Sequence, residues 1–272
     1  GWGLERNRNG GNAVLAVLAL PAVAGKFGVR GGGYTLSNSG AYGLGSKPWV
    51  QTPEPPTRVF NMNRLGRILC EPAEPPVKVL FVYNCNPVAT LPDQRRVIAG
   101  MSREDLFTVV FDQVMTDSTA FADIVLPATT FFEHYDISKG YGSYSVQLVK
   151  PAIEPVGESR PNVEVFARLA SRLGVTATEE EDEAEQLALL RVASALPPHL
   201  GQPMLEGRPG VPPFGTRPVQ FVDVHPNTPD RKAHLFPEEA AGDAPAGLYG
   251  YQPDPATADC PLALISPASE KT

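Results

Sequence analysis

The sequence predicts an α/β fold in which a mostly parallel sheet carries flanking helices. Three apolar runs of strand length lie at 77–83, 106–111 and 123–126. A helical stretch at 93–99 separates the first two runs, and an amphipathic segment at 162–173 follows the third. Continuous apolar runs that alternate with helices are typical of strands buried on both faces of a parallel sheet. We therefore expect an open, Rossmann-like sheet in the middle of the chain.

The composition indicates a folded protein that is rich in loops. The 272 residues are 42% hydrophobic and 19% charged, enough for one large domain or two ordinary ones. Glycine and proline, at 25 and 29 residues, make up about a fifth of the chain, well above average usage. The net charge is −7 and no basic block alternates with aromatic residues. Because phosphate backbones are bound by clustered Lys and Arg, we expect no nucleic-acid partner.

The first part of the chain predicts a short apolar helix. The run 13–24 is apolar, Asn12 is a candidate N-cap, and Pro21 is expected to end or kink the helix. Two arginines followed by this apolar run resemble a signal peptide, but the polar Asn- and Gly-rich flank argues against one. The run is also too short to span a bilayer. We expect no membrane span in this chain. A start at Gly1 instead of Met suggests a fragment or a processed chain.

The remaining segments are mostly irregular. A helix is expected around 61–70 within the proline-rich stretch 34–76. The segment 178–195 is acidic and then apolar, which predicts another helix. Nine prolines in 197–230 indicate an extended surface segment. The run 260–266 has the character of a strand that begins a new domain.

Polar residues follow each predicted strand, where a parallel sheet binds its ligands. Asn84 and Asn86 follow the first strand, Asp112 ends the second, and 127–129 follow the third. An Asp at such a place can accept from both N1–H and the exocyclic amine of guanine. The alternative is that these Asn and Asp residues only cap loops. His134, just past the third strand, either contacts a phosphate or base or belongs to the loop.

Other familiar chemistry is missing from the sequence. The cysteines, Cys70, Cys85 and Cys260, are far apart and form no CxxC pair, which excludes a zinc ribbon or a self-contained iron–sulfur site. Cys85 has no evident partner base, so we expect it to be structural. The sequence contains no Walker-type phosphate loop, no GxSxG elbow and no close histidine pair.

Several segments resemble the molybdopterin oxidoreductases of the dimethyl-sulfoxide-reductase family. The central block, MTDSTAFADIVLPATTFFE, is highly specific in order and spacing. The similar stretches are GWGLERNRNGGNAV (1–14), LPAVAGKFGVRGGG (20–33), VYNCNPVATLPD (82–93), LFTVVFDQVMTDSTAFADIVLPATTFFE (106–133) and PAIEPVGESRPNVEVFARLASRLG (151–174), and CPLALIS (260–266) resembles the opening of the family's C-terminal cofactor-binding barrel.

The resemblance implies a cofactor and a domain plan. The family binds molybdenum or tungsten through pterin guanine dinucleotides, transfers oxygen atoms or hydride equivalents, and passes electrons to an iron–sulfur cluster. A 4Fe-4S cluster would belong to an upstream part, and an iron–sulfur electron-transfer subunit or domain would be a partner. The implied domains are 1–60, the end of one α/β cofactor domain; 61–196, a nucleotide-binding domain; 197–244, a proline-rich connector; and 245–272, the truncated start of the barrel.

The resemblance also implies site residues. Trp2 and Arg6 match the pair beside the pterin, with Arg6 near phosphate or pterin. Asp112 would hold the guanine edge or the ribose. His134 replaces a Lys found in some relatives. The positions implied to contact one cofactor nucleotide are Asn84, Asn86, Phe111, Asp112, Thr116, His134 and Asn162. The cluster cysteines and the Ser, Cys or selenocysteine that ligates the metal are absent from this sequence.

Two other functions stay open at this point. A non-catalytic scaffold, like the large subunits of respiratory NADH dehydrogenases, would have lost the pterin; the presence of Asn86, Asp112 and Asn162 favours cofactor binding instead. A simple guanine-nucleotide-binding module would bind its ligand through this chain alone. The sequence does not indicate whether the substrate is formate, nitrate, a sulfur oxyanion or an organic N- or S-oxide, nor whether the compartment is cytoplasmic or periplasmic.

Overall fold

The computed structural model describes two compact units. Residues Gly1–Asn38 and Phe214–Thr272 form one, and Ser39–Pro213 form the other. The predicted domain boundaries at 60, 196 and 244 stay predictions. The residues that the structure describes are 3–4, 9–36, 39–42, 57–71, 74–140, 143–174, 190, 192–194, 196–242, 244, 247–253 and 258–262.

A three-stranded parallel sheet organises the unit Ser39–Pro213. Its strands are β1 (Val79–Tyr83), β2 (Phe107–Asp112) and β3 (Ile124–Pro127), in the order β1-β2-β3. Both pairings are parallel. The predicted α/β class and the three predicted runs are confirmed, with strand ends shifted by one or two residues.

Helices cover one face of this sheet with a continuous core. Val82 of β1 and Val110 of β2 are register partners and pack in one buried cluster with residues of the helices and loops around them. Successive strand residues alternate between faces, so these two share a face. The helices are α2 (Leu65–Cys70), which follows a 3₁₀ turn at Met62–Arg64, α3 (Pro87–Thr90) and α4 (Gln94–Met101); the cluster also contains Leu69, Val88, Val97, Met101 and Leu106.

The opposite face of the sheet packs against α5 (Asn162–Arg172) through one aromatic ring. Phe166 lies 5.7 Å from the Phe81 ring centroid, 5.1 Å from that of Tyr83 and 6.2 Å from that of Phe111. The sheet is therefore covered on both faces, which explains why its strands appear in the sequence as continuous apolar runs.

A second, smaller core lies in the same unit. It joins Tyr42 and Val146 to Leu196, Leu200 and Met204. The antiparallel strands β4 (Asp136–Lys139) and β5 (Val146–Val149) and the helix α6 (Pro198–Leu205) surround it.

The expectation that 197–230 is extended throughout was wrong for α6. Pro198 occupies the first turn of that helix, where a missing backbone N–H costs nothing because no intrahelical acceptor awaits it. Leu200 and Met204, four residues apart, are both buried and fix the segment as a helix.

The other unit is built on α1 (Gly10–Val23), with a short α7 (Glu238–Ala241). The prediction that Asn12 caps this helix was wrong, because the helix begins at Gly10. The Asn12 side chain instead donates to the carbonyls of Gly247 (3.2 Å) and Gly250 (3.0 Å) and accepts from the Tyr249 amide (2.6 Å). Pro21 lies within the helix, two residues before its end.

Some predicted elements fall outside the described residues. The acidic start of the predicted helix 178–195 is one, and of that segment only 190 and 192–194 are described, all as helix. Of the predicted strand 260–266, residues 260–262 are described and are not in a strand. The strands of the described residues form the two sheets above and no barrel. In the described part of the chain, no helix is long and apolar enough to cross a membrane.

Candidate functional site

The strands of the parallel sheet end level with one another. The register pairs Tyr83 with Phe111 and Asp112 with Pro127, so β1, β2 and β3 end side by side. We call this the carboxyl edge. It continues through a parallel bridge between Ala128 and Arg160, two residues before α5 begins. The predicted residues that follow these strand ends, or begin α5, therefore come to one edge: Asn84, Asn86, Asp112 and Asn162.

Asn84 is the first residue after β1 and begins the turn that leads away from the sheet. Its backbone has a φ of 49°, a left-handed conformation that Asn tolerates better than most residues. Its amide N–H donates to the Phe111 carbonyl at 3.2 Å, which keeps the loop against β2. The side chain is exposed and has no hydrogen-bond partner among the described residues.

Asp112 keeps one carboxylate oxygen available at the end of β2. Its Oδ1 accepts from the Gln113 backbone amide at 2.7 Å, and its backbone carbonyl accepts from the Ala128 amide at 3.0 Å. Oδ2 has no partner among the described residues, and the side chain is half-buried. A carboxylate oxygen in this position accepts hydrogen bonds from a base edge or a ribose.

Asn86 uses both ends of its side-chain amide within the protein. Nδ2 donates to Asp117 Oδ2 at 2.9 Å, and Oδ1 accepts from Ser118 Oγ at 2.8 Å. Ser118 is fully buried and its Oγ also accepts from the Val88 amide at 3.2 Å. We call Asn86, Asp117 and Ser118 the Asn86 anchor. It ties the loop after β1 to the loop after β2, and the predicted cofactor contact of Asn86 stays a prediction.

Thr116 holds a buried hydroxyl group beside the Asn86 anchor. Its backbone carbonyl accepts from the Thr119 amide (3.0 Å) and from Thr119 Oγ1 (2.6 Å). Its own Oγ1 is buried and finds no hydrogen-bond partner in the described structure. Thr108 Oγ1, within β2, is likewise buried without a described partner, so an unpaired hydroxyl group does not by itself distinguish the carboxyl edge.

Phe111 packs the sheet and does not present its side chain at the edge. The side chain is fully buried, stacked on Tyr83 at 5.8 Å between ring centroids and contacting Phe166. Only the backbone of Phe111 reaches the carboxyl edge, through its bond with Asn84. The predicted contact of Phe111 with the cofactor nucleotide stays a prediction.

Sequence reasoning missed Glu133, a carboxylate that is only 7% exposed. Its Oε2 accepts from the amide and the hydroxyl of Thr130, both at 2.6 Å. Its Oε1 accepts from the Val156 amide at 2.6 Å and from Ser159 Oγ at 3.4 Å. We call these four residues the Glu133 anchor. The Thr-x-x-Glu pattern of 130–133, a capping-box signature, is the signal that would have found half of it.

These donors hold the pKa of Glu133 at about 2, below its ordinary value of 4.5. The Thr130 hydroxyl is the largest cause, followed by the backbone amides of Thr130 and Val156. Hydrogen bonds to the charged form of a carboxyl stabilise that form and lower its pKa. Glu133 is therefore ionised at neutral pH.

His134 lies next to this anchor with one ring nitrogen engaged. Nδ1 is 2.9 Å from Oγ1 of Thr129, a residue that is only 2% exposed. Nε2 has no partner among the described residues. When the Thr129 hydroxyl donates to Nδ1, the neutral ring carries its proton on Nε2 and can donate it to an anionic oxygen.

Asn162 is the first residue of α5 and is half-buried, and its side chain has no partner among the described residues. In the same turn, Glu164 pairs with Arg160 (3.4 Å) and Arg168 (2.7 Å). The Arg160 side chain is 56% exposed and places a cation at the carboxyl edge.

Two of the predicted site residues, Trp2 and Arg6, lie outside the described residues.

Cys85 is half-buried against the main core, which agrees with a structural role. Across the described residues, no group of three or more His, Cys, Asp or Glu side chains is arranged to hold a metal ion.

Comparison with known proteins identifies the family to which this chain belongs. A family model described as "Molybdopterin oxidoreductase" matches residues 1–172. This chain belongs to the molybdopterin oxidoreductase family. The resemblance inferred from the sequence is thereby confirmed.

The relatives of this molybdopterin oxidoreductase chain are much longer proteins. It is 42% identical over 208 residues to "Probable oxidoreductase YoaE" of Bacillus subtilis (strain 168), covering 74% of this chain and 30% of that protein. It is 30% identical over 215 residues to "Dimethyl sulfoxide/trimethylamine N-oxide reductase" of Cereibacter sphaeroides, covering 67% and 26%. The chain thus spans between a quarter and a third of the length of these relatives.

A solved structure shares the fold. "Acetylene Hydratase from Pelobacter acetylenicus" aligns with a TM-score of 0.53 and 21% identity, over 72% of this chain and 27% of that one. At that identity the similarity concerns the fold alone.

Proposed function

We propose that this chain binds the nucleotide tail of a pterin guanine dinucleotide within a molybdenum or tungsten oxidoreductase that transfers oxygen atoms, hydride or electrons. The observation that carries the proposal is the set of polar atoms without protein partners at the carboxyl edge. Family membership and the names of the reductase relatives support the redox class. The activity is proposed for the whole protein. This chain covers between a quarter and a third of the length of its relatives.

The donor and acceptor set fits a guanine nucleotide. Asp112 Oδ2 would accept from the base edge or the ribose, and the Asn84 and Asn162 amides can both donate and accept. Thr116, beside the Asn86 anchor, is the further position in this loop that the family resemblance implies to contact the nucleotide. His134 Nε2 would donate to a phosphate oxygen. When bound, the metal–pterin group supplies the redox chemistry, and the residues of this chain bind and orient its tail.

The polar set of the carboxyl edge favours this proposal over a scaffold that has lost its cofactor. Asp112 Oδ2 and the Asn162 amide lie at that edge, half-buried and without partners among the described residues. An iron–sulfur cluster and its electron-transfer partner, expected from the resemblance, find no support in the comparisons and are not part of the proposal.

Two measurements test the proposal. Elemental and nucleotide analysis of the whole protein is expected to find molybdenum or tungsten together with guanine nucleotide; a protein with neither would refute it. Titration of the 272-residue chain with GMP, followed by NMR, is expected to shift the resonances of the carboxyl edge, with weaker binding of CMP because CMP lacks the N1–H and amine pair of guanine.

A matched pair of substitutions locates the base contact. Asp112→Asn is expected to weaken GMP binding about tenfold, because a charge-assisted acceptor becomes neutral. Unchanged CMP binding would place the contact at the base edge, and an equal loss for CMP would place it at the ribose. Asp136→Asn is the control, since Asp136 Oδ1 accepts from the next backbone amide at 2.7 Å in the same way but lies at the start of β4. Equal effects of the two variants would exclude Asp112 from the site.

A further inference from the structure

Glu133 joins the two stretches of chain that carry His134 and Asn162. Thr130 lies in the turn that ends at His134, and Val156 and Ser159 lie in the stretch that leads through Arg160 into α5. The side chain spans 23 and 26 residues of sequence to reach these partners. It makes no contact with the unpartnered atoms of the carboxyl edge themselves.

The backbone joins these stretches at two places. The Arg160 amide donates to the Pro127 carbonyl at 3.1 Å and the Thr129 amide to the Arg160 carbonyl at 3.2 Å, and the Ala152 and Ile153 amides donate to the Phe132 carbonyl at 2.7 and 3.1 Å. Between these two places, the bonds of Glu133 to Val156 and Ser159 hold the stretches together. This side chain therefore adds to the backbone bonds in holding the turn of His134 against the stretch that leads into α5.

Only a carboxylate satisfies the surroundings of Glu133. Two amides and two hydroxyl groups converge on its two oxygens. A glutamine of the same shape would turn an NH₂ group toward one pair of donors, and two N–H groups would then face each other. The partners are all neutral, so the negative charge is held by hydrogen bonds and not by a cation.

We propose that Glu133 is a positioning residue of the nucleotide site: it fixes His134 and Asn162 relative to each other at the carboxyl edge and so sets the affinity for a nucleoside phosphate without touching it. This inference rests on the proposed function. It predicts that loss of the carboxylate uncouples His134 and Asn162 from the ligand while Asp112, held by β2, keeps its contribution.

A double-mutant cycle on the 272-residue chain with GMP as the probe tests this role. Glu133→Gln is expected to weaken GMP binding about tenfold. In that background, His134→Ala and Asn162→Ala are expected to cost much less affinity than in the wild type, whereas Asp112→Asn costs the same in both. Glu158→Gln is the control, because Glu158 is an exposed carboxylate in the same stretch and has no partner among the described residues. It is expected to leave affinity unchanged.

Hydrogen exchange in the absence of ligand provides the second readout. Glu133→Gln is expected to speed exchange at the Val156 and Thr130 amides and to leave that of Val110, in the centre of β2, unchanged. If Glu133→Gln does not fold, Thr130→Val removes one of the four donors and is expected to give the same pattern with about a threefold loss of affinity.

The two proposals fail in different ways. A wild-type chain that does not bind GMP would remove the nucleotide site and the positioning role with it. A wild-type chain that binds GMP, but in which Glu133→Gln affects the His134→Ala and Asp112→Asn backgrounds equally, would overturn the positioning role alone. Unchanged exchange at Val156 in Glu133→Gln would overturn it as well.

Discussion

Two anchors hold the loops of the carboxyl edge, and they use different chemistry. The Asn86 anchor is a neutral amide that gives one hydrogen bond and accepts one, with one partner exposed and the other buried. The Glu133 anchor is a buried carboxylate that accepts from four donors. The comparison shows that loops at one sheet edge can be fixed either by separate bonds of one neutral side-chain amide or by a single buried charge. The buried charge is expected to be the more sensitive to substitution and to acid.

The unpartnered polar atoms divide between the two anchors. Asn84, Asp112 and Thr116 belong to the loops after β1 and β2, which the Asn86 anchor ties together. His134 and Asn162 belong to the stretches that the Glu133 anchor ties together. Each anchor therefore serves a separate part of the proposed site, and substitutions that break one anchor test that part alone.

The largest loss of stability in this comparison is expected for Glu133→Ala. The substitution leaves four donors, two of them backbone amides, without their acceptor, and unsatisfied buried donors are costly. The free energy of unfolding, measured with urea at pH 7, should fall by more than it does for Asn86→Ala. Glu158→Ala in the same stretch should leave it unchanged. A smaller loss for Glu133→Ala than for Asn86→Ala would reverse the ranking of the anchors.

Acid should weaken the Glu133 anchor in the wild type. The folded pKa of Glu133 is about 2 and its ordinary value is 4.5. Its contribution is therefore fully present above pH 4.5 and is lost as the pH falls toward about 2. Because other carboxyls, such as Asp105 beside Arg103, also have lowered pKa values, the quantity to measure is the stability difference between wild type and Glu133→Gln. That difference should shrink from pH 5 to pH 2, and a constant difference would show that the charge of Glu133 does not stabilise the fold.

The Asn86 anchor should contribute a smaller amount. Asn86→Ala removes the acceptor of the fully buried Ser118 hydroxyl and the donor to Asp117, at a cost of about 1–3 kcal/mol of unfolding free energy. Asn63→Ala is a suitable control, because Asn63 is exposed in a 3₁₀ turn and its side chain makes no described bond. Urea unfolding of both variants measures the difference. Equal stabilities would mean that the loops after β1 and β2 hold together without the amide.

The parts of this edge that sequence predicts are those set by local pattern. A parallel strand covered on both faces is a continuous apolar run, so the ends of the strands, and with them Asn84 and Asp112, could be placed without the structure. The Glu133 anchor could be found only in part. Its bonds to Thr130 follow a local capping pattern, but its bonds to Val156 and Ser159 cross 23 and 26 residues and depend on how the chain returns to the sheet.

Predictions from residue type were wrong where packing against distant residues determines the structure. Prolines near 198 suggested an extended segment, yet the buried Leu200 and Met204 make it a helix. Asn12 has the residue type of an N-cap, yet it lies inside α1 and binds the loop at 247–250. In each case a distant partner, invisible in the local sequence, determines the role.

The smallest change in stability is expected at Asn84, where two substitutions distinguish the role of the backbone from that of the side chain. Glycine adopts a φ of 49° without strain, so Asn84→Gly should change the unfolding free energy by less than about 1 kcal/mol. Asn84→Ala retains the strain of the left-handed backbone and should be the less stable of the two. If the exposed amide contacts the nucleotide, both variants should weaken GMP binding of the chain equally, by about threefold. A loss of GMP affinity in Asn84→Ala alone, the less stable variant, would contradict this contact. Asn84 would then only form the turn after β1, and other residues of the loop held by the Asn86 anchor would contact the ligand.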